Sequence, residues 1–276
     1  PRKGRWIAEQ KRPSANVMPQ IWHLVPGGFS KAPAPDVISV STPAHLGQAS
    51  GYFCPGMRVD NEFAGDQAGD DALSVCFDST PLHAPLELLG RAVLKIRFTV
   101  DKPVAQIVAR LCDVSPEGVS QRISYRPLNL CSHKSFETPE ALEPGQVYDA
   151  EIDLNECAHH LREGHVLRLA LSTSYWPIVW PSPENTNVSL NLEGCTLSLP
   201  VREVAREIDP ASPGPALNHP VLDCEILRAP SGSSEQTITT DGRVVLETFD
   251  DYGKTLNPDH GLITGSDVRM HCGIHP

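Results

Sequence analysis

The sequence predicts an all-β protein built around a jelly-roll β-sandwich, and three observations support that prediction. Short segments alternate between apolar and polar residues, glycine- and proline-rich turns separate them, and no stretch carries a helical period. The 26 prolines, 20 glycines and 6% aromatic residues also favour turns over long helices. One-face alternation over many short strands is typical of an antiparallel sandwich, in which each sheet packs one face inward.

Five segments carry the alternating pattern most clearly. In residues 91–100, apolar side chains at every second position alternate with Lys95, Arg97 and Thr99. The other four segments are residues 107–111, 148–154, 165–173 and 188–193. Because each segment has one apolar face, we expect each to be a strand with one side in the core.

Three regions follow along the chain. Residues 1–81 are predicted to be an extended segment with loops, because proline and glycine are frequent near their start. Residues 82–202 are predicted to form the jelly-roll core. Residues 203–276 begin with a proline-rich linker and continue with further strands, where Asp241-Gly242 predicts a tight hairpin.

Charge and composition exclude several partners. With 34 acidic and 23 basic side chains the net charge is −11, which argues against a nucleic-acid groove or an anionic membrane as partner. No apolar run approaches the roughly 20 residues that span a bilayer, and no signal segment stands at the start. The eight cysteines are widely spaced, which favours free thiols in a cytoplasmic protein over a disulfide framework.

The chain contains no recognisable catalytic motif. A serine hydrolase of the α/β type needs a Gly-x-Ser-x-Gly elbow, which is absent. The nearest stretch, residues 231–234 (Ser-Gly-Ser-Ser), lacks the second glycine and is interpreted as a flexible loop. A phosphate-binding loop and a dinucleotide-binding glycine motif are absent as well. We therefore assign no catalytic residue and no cofactor to this sequence.

Two histidine-containing clusters offer metal ligands or, alternatively, a structural role. Residues 271–275 (His-Cys-Gly-Ile-His) could offer three ligands but lie at the end of the sequence. Cys157, His159, His160 and His165 flank a predicted turn, so we expect one or two of these histidines to hydrogen-bond the backbone. The sequence therefore predicts no metal site.

An aromatic cluster occupies residues 175–181 (Tyr-Trp-Pro-Ile-Val-Trp-Pro). Tyr175, Trp176 and Trp180 could form a platform for a sugar or for an apolar substrate group, because flat rings supply a large contact area. Alternatively, this proline-stiffened loop packs against a neighbouring domain, where tryptophan is common. The second interpretation is favoured.

Several stretches, in the same order along the chain, resemble one family. Residues 164–172 (Gly-His-Val-Leu-Arg-Leu-Ala-Leu-Ser) followed by 175–177 are similar to a Gly-His-Arg-h-Arg-h strand (h apolar) and its aromatic-Pro loop. Gly164, His165 and Arg168 are the motif residues, and Val166 departs from the usual arginine. Further similar stretches are residues 4–9, 70–82, 109–118, 127–130 and 142–145. The family is the C-terminal domain of X-Pro dipeptidyl-peptidases and cocaine-esterase-type (CocE/NonD) serine hydrolases.

This resemblance implies a galactose-binding-like jelly roll that follows an α/β-hydrolase domain carrying the Ser-Asp-His triad. The chain would then be the non-catalytic β domain, which walls the active site of the parent enzyme and stabilises it. Its expected partners are that hydrolase domain, N-terminal to Pro1, and a second copy of itself in a homo-oligomer, while further strands would follow Pro276. An alternative is a free-standing carbohydrate-binding module that uses Trp176 and Trp180. Peptide, ester and amide substrates all stay open.

Overall fold

The computed structural model describes residues 4–52, 63–203 and 223–274. The chain divides into two compact units. Residues 9–206 form the first, named here the sandwich unit, and residues 1–8 with 207–276 form the second, named the C-terminal unit.

Most of the described chain is strand. The strands of the sandwich unit are β1 (Val17–Val25), β2 (Gly28–Ser30), β3 (Val37–Val40), β4 (Val75–Asp78), β5 (Leu86–Gly90), β6 (Val93–Val100), β7 (Gln106–Val114), β8 (Ser120–Asn129), β9 (Tyr148–Asp153), β10 (Cys157–Leu161), β11 (Val166–Ser172), β12 (Val188–Asn191) and β13 (Thr196–Arg202). The helical elements described between them are α1 (Ala68–Asp71) and two 3-10 turns (Leu130–Ser132 and Leu192–Gly194). The predicted all-β class is confirmed.

The strands are joined in the order β3-β12-β6-β13-β1-β2-β4-β11-β7-β8. Strand β9 also pairs with β6, and β5 connects β13 to β10. These pairings are antiparallel except at one bridge between β2 and β4, where Gly28 lies opposite Asp78. Antiparallel pairing with one face buried is the arrangement that the alternating segments predict.

The core lies between the layer that contains β6 and the layer that contains β7 and β11. On β6, Leu94, Ile96 and Phe98 are buried, whereas Lys95 and Arg97 are exposed. These apolar side chains belong to the same core cluster as the following residues of β7 and β11: Ile107, Ala109, Leu111, Leu167, Leu169 and Leu171. Each large apolar side chain buried there contributes about 1.5–3 kcal/mol to folding. The prediction that these strands share a sandwich core is confirmed.

Strand β7 differs from β6 because both of its faces are buried. All residues of this strand after Gln106 are buried, including Arg110. One face belongs to the core, while on the other face Val108 packs with Leu46 and Tyr175 in a second apolar cluster. A further layer of chain therefore covers the outer face of this sheet.

The sandwich begins earlier than the boundary predicted at residue 82. Strand β1 pairs with β13, with Val17 opposite Arg202, and β4 pairs with β11. The region expected to be an extended segment with loops thus contributes four strands to the sandwich unit. These strands were not predicted because β1 alternates poorly and the other three have only three or four residues.

The C-terminal unit contains a separate sheet. Its strands are β14 (Glu225–Arg228), β15 (Ser231–Ile238), β16 (Val244–Asn257) and β17 (Leu262–Ile274). Strand β16 is central: β17 pairs along one edge, and β15 and β14 follow one another along the other. The hairpin predicted at Asp241-Gly242 is confirmed, since Gly242 has φ +83° between β15 and β16.

The interpretation of residues 231–234 as a flexible loop was wrong. They form the first half of β15, and Ser231 lies opposite Asp251 of β16. Strand β15 is largely exposed, so backbone hydrogen bonds hold this polar segment without an apolar face. A search for apolar alternation therefore does not detect it.

Candidate functional site

The Gly-His motif forms a turn that places its histidine against a buried aspartate. Gly164 has φ +81°, a conformation that favours glycine, and is followed by His165 directly before β11. His165 Nδ1 lies 2.6 Å from Asp113 Oδ1, and His159 Nε2 lies 2.8 Å from Asp113 Oδ2. A single carboxylate of β7 thus holds two imidazoles, one from β10 and one beside β11.

These contacts correct the expected role of the histidines. His159 and His165 bind the Asp113 carboxylate, and His160 Nδ1 lies 3.3 Å from Glu87 Oε1, so these rings bind carboxylates instead of the backbone. In the described ranges, no group of three or more His, Cys, Asp and Glu side chains is arranged as a metal site. His275 of the terminal cluster lies outside the described residues.

Arg168, the last residue of the motif, joins two acidic side chains. Its Nε and Nη2 donate to the two carboxylate oxygens of Asp78, at 2.8 and 2.7 Å, and its Nη1 donates to Asp71 Oδ2 at 3.2 Å. Asp78 lies directly opposite Arg168 in the β4–β11 pairing. The hydrogen bonds to Asp78 raise the pKa of Arg168 above its ordinary value.

A second arginine, Arg110, is completely buried on the outer face of β7. Its Nη2 lies 3.2 Å from Asp71 Oδ1 and donates to Ser74 Oγ at 2.7 Å, and its Nη1 donates to Gln67 Oε1 at 3.1 Å. The guanidinium carbon lies 5.2 Å from the centre of the Tyr175 ring. We call Gln67, Asp71, Arg110, Arg168 and Tyr175 the Arg110 network.

Helix α1 also anchors residues 47–49. The carboxylate of Asp70, beside Asp71 on α1, accepts backbone N–H groups of Gly47, Gln48 and Ala49 at 3.0–3.2 Å. Gly47 has φ +124°, and a Cβ at this position would lie 2.2 Å from the carbonyl oxygen of Trp176. The chain therefore approaches the aromatic loop as closely as glycine allows.

The aromatic loop has a buried half and an exposed half. Tyr175 is completely buried, and its hydroxyl donates to Gln67 Oε1 at 2.7 Å and accepts from Arg122 Nη1 at 2.6 Å. Burial raises the pKa of Tyr175 to about 12, so the phenol stays protonated at neutral pH. Trp176 is 1% exposed, whereas Trp180 is 63% exposed and its ring stands edge-on to Trp176, with centroids 5.0 Å apart.

The three residues expected at a substrate pocket or domain interface therefore differ in their exposure to solvent. Of the three, only Trp180 presents an open aromatic surface, and its ring packs against the buried Trp176. The two-tryptophan platform on which the carbohydrate-binding alternative depends is therefore absent, because Trp176 has no exposed face. A small pocket of about 240 Å³ occurs elsewhere in the sandwich unit; its lining residues are Trp22, Phe29, Ser30, Lys31, Ser79 and Thr80.

Sequence reasoning did not assign a role to Gln67, Asp70 or Asp71. The stretch 70–82 was noted only for its resemblance, and a pair of adjacent aspartates beside a polar helix turn has no distinctive periodicity. The sequence of β7 contains a clearer signal than the two aspartates do, because Arg110 stands among apolar residues. An arginine in a fully buried strand requires a buried acid, which is the signal that could have located Asp71.

The described residues show no assembled hydrolytic triad. Histidines 159, 160, 165 and 271 all contact carboxylates, and within the described ranges no serine hydroxyl hydrogen-bonds a histidine ring. All seven cysteines described are free thiols, and Cys54 lies outside the described residues. None of the described helices reaches the length and apolarity of a membrane-spanning segment.

These features define a β-sandwich domain whose outer sheet face is stabilised by a buried ionic network. The chain belongs to the family of X-Pro dipeptidyl-peptidase C-terminal non-catalytic domains, whose model matches residues 2–219. The family that the motifs of residues 4–202 resemble is thus confirmed.

Known relatives are longer hydrolases. Cocaine esterase from Rhodococcus sp. (strain MB1 Bresler) is 23% identical over 108 residues, which is 39% of this chain and 18% of that enzyme. An aminopeptidase from a marine sediment archaeon, Thaumarchaeota archaeon, has a TM-score of 0.60 at 16% identity and shares 72% of this chain and 39% of its own. An α-amino acid ester hydrolase has a TM-score of 0.58 at 18% identity, over 66% of this chain and 36% of its own. The chain spans less than half of each relative's length.

Proposed function

We propose that this chain is the non-catalytic domain of a serine-type hydrolase that cleaves ester or amide bonds, and that it forms one wall of the substrate site. The names of the relatives describe ester hydrolysis and aminopeptidase activity, both of which transfer an acyl group to water. The partner would be an α/β-hydrolase domain that supplies the nucleophile and its base. We also propose that the jelly roll of this domain has the galactose-binding-like form.

The observation that carries this proposal is the exposed Trp180 on a rigid base. The backbone N–H of Trp176 donates to the carbonyl of Leu46 at 2.6 Å, and Gln106 Nε2 donates to the carbonyl of Trp180 at 2.9 Å. Because its backbone is held and its ring packs edge-on against the buried Trp176, Trp180 loses little conformational freedom on contact with a substrate or a neighbouring domain. Exposed aromatic rings with buried supports are typical of residues that contribute strongly to binding.

The test uses the longest protein that contains this chain together with its catalytic domain. We expect Trp180→Ala to lower kcat/KM for p-nitrophenyl esters or X-Pro-p-nitroanilides about tenfold, which corresponds to about 1.4 kcal/mol of lost transition-state stabilisation. The matched control is Val119→Ala, an exposed apolar residue in the β7–β8 turn at the opposite end of the strands. This control should leave kcat/KM unchanged.

Two results would contradict the proposal. Hydrolysis by the isolated chain, abolished by a serine-directed phosphonate, would show a catalytic centre within this sequence. Equal kcat/KM for Trp180→Ala and Val119→Ala in the longer protein, with both variants folded, would show that the aromatic loop does not face the substrate site.

A further inference from the structure

The pocket of about 240 Å³ lies where strands β2 and β4 separate. The two strands run parallel and pair at a single bridge, with Gly28 opposite Asp78, where the Asp78 N–H donates to the carbonyl of Gly27 at 3.2 Å. The chain after β4 then follows β11 instead of β2, because the N–H of Ser79 donates to the carbonyl of Leu167 at 2.9 Å. Residues at the ends of β2 and β4 therefore line the pocket from two sides.

The apolar part of the pocket is an aromatic corner formed by Trp22 and Phe29. Their ring centroids are 5.2 Å apart, and the ring planes are inclined by 59°. Both side chains are half-buried and pack against the main core, where the ring of Phe29 lies 6.5 Å from that of the completely buried Phe77. Because the core holds both rings, a third flat ring can pack against them in the tilted geometry that aromatic groups prefer.

The polar part of the pocket comes from Lys31 and Thr80, which are both exposed. Within residues 4–52, 63–203 and 223–274, neither the ammonium group of Lys31 nor the hydroxyl of Thr80 has a hydrogen-bond or ion-pair partner. The acid nearest in sequence to Thr80, Asp78, already accepts hydrogen bonds from Arg168 on both carboxylate oxygens. None of the lining residues is acidic, so the pocket carries a net positive charge in a chain whose overall net charge is −11.

These groups specify the chemistry of a ligand. A carboxylate accepts a charge-assisted hydrogen bond from an ammonium group and a further bond from a hydroxyl, while a flat apolar body matches the aromatic corner. The volume accommodates one ring with a short acid side chain and is smaller than that of pockets for drug-sized molecules. We propose that this pocket binds a small carboxylate with a flat apolar body, which Lys31 and Thr80 hold against Trp22 and Phe29. This site is separate from Trp180 and does not depend on the function proposed above.

The test is a two-dimensional NMR titration of the full chain with phenylpropanoate. We expect saturable shifts of the backbone amide signals of Ser30 and Thr80, with a Kd of about 1 mM for a ligand of this size. Two matched ligands separate the two parts of the pocket. Phenylpropanamide keeps the ring and lacks the charge, whereas propanoate keeps the charge and lacks the ring. Each should bind at least about tenfold more weakly than phenylpropanoate.

Substitution of Lys31 tests the charge from the protein side. Lys31→Met removes the charge and keeps the length of the side chain, so it should weaken phenylpropanoate binding at least about tenfold and leave phenylpropanamide binding unchanged. Lys31→Arg, which retains the charge, should retain binding. The matched control is Lys134→Met, which removes a charge from an exposed lysine in the loop after β8, outside the pocket. This control should leave the affinity for phenylpropanoate unchanged.

Several results would overturn the proposal. One is the absence of saturable shifts at Ser30 and Thr80 up to the solubility limit of phenylpropanoate. Another is equal affinity for phenylpropanoate and phenylpropanamide, or full affinity in Lys31→Met, since the ammonium group would then not bind the carboxylate. The titration is also repeated on the longest protein that contains this chain. Binding to the chain alone, lost in the longer protein, would mean that a neighbouring domain covers the pocket and would overturn the proposal as well.

Discussion

Strands β7 and β17 represent opposite ways of stabilising a long strand. Strand β7 is buried on both faces, pairs along both edges, and carries the buried charges Arg110 and Asp113. Strand β17 pairs along one edge and is exposed over most of its length. The first strand has backbone partners on both sides, whereas the second has a backbone partner on one side among residues 4–52, 63–203 and 223–274. Within the described residues, β7 is thus fixed on every side by its own unit, whereas β17 is held by a single neighbouring strand.

Amide hydrogen exchange of the dilute chain should reveal the largest difference. We expect the amides of β7 to exchange orders of magnitude more slowly than those amides of β17 that point away from β16, because the former open only with the whole unit. The measurement is residue-resolved exchange monitored by NMR. Equal protection of both strands at low concentration would contradict the difference proposed here between β7 and β17.

Breaking the Arg110 network should give the largest loss of stability from a single side chain. We expect Arg110→Ala to lower the free energy of unfolding by about 3–5 kcal/mol, because the buried Asp71 carboxylate would lose one of its two arginines. The measurement is urea denaturation followed by circular dichroism. The control is Lys95→Ala, which removes an exposed ion pair with Glu151 and should cost less than about 1 kcal/mol.

Substitution of Gly47 should have a smaller but clear effect. We expect Gly47→Ala to destabilise the sandwich unit by roughly 1–3 kcal/mol, because the new Cβ requires both an unfavourable φ and a shift of Trp176. Gly145→Ala is the control: Gly145 also has a positive φ, of +81°, but has open space around it. Equal costs for the two variants in urea denaturation would mean that the contact with Trp176 carries no energy.

Much of the sandwich unit could be predicted, for a physical reason. Strands β6 and β9 bury one face and expose the other, so their side chains alternate and the sequence carries the pattern. Strand β15 is exposed and polar, and β1 alternates poorly, so neither carries that pattern. Such strands are held by backbone hydrogen bonds, which depend little on the type of side chain. Their pairing therefore leaves no pattern in the sequence.

The candidate site was predicted only in part. Residues 175–181 were found because tryptophan is rare and two occur close together. Which of the two rings faces solvent depends on Leu46 and Gly47, which are far away in the sequence. The Arg110 network was missed for the same reason, because Gln67 and Asp71 meet Arg110 only after the sheet has formed.

The shared carboxylate of Asp71 has a consequence for the order of assembly. It contacts Arg110 of β7 and Arg168 of β11, two strands that are neighbours in space and distant along the chain. The β7–β11 pairing must exist before one acid can neutralise both cations, and in the paired sheet the two guanidinium groups repel each other until Asp71 docks. Closing such a long loop is slow. We therefore expect residues 63–74 to dock late in folding, onto a sheet that has already formed.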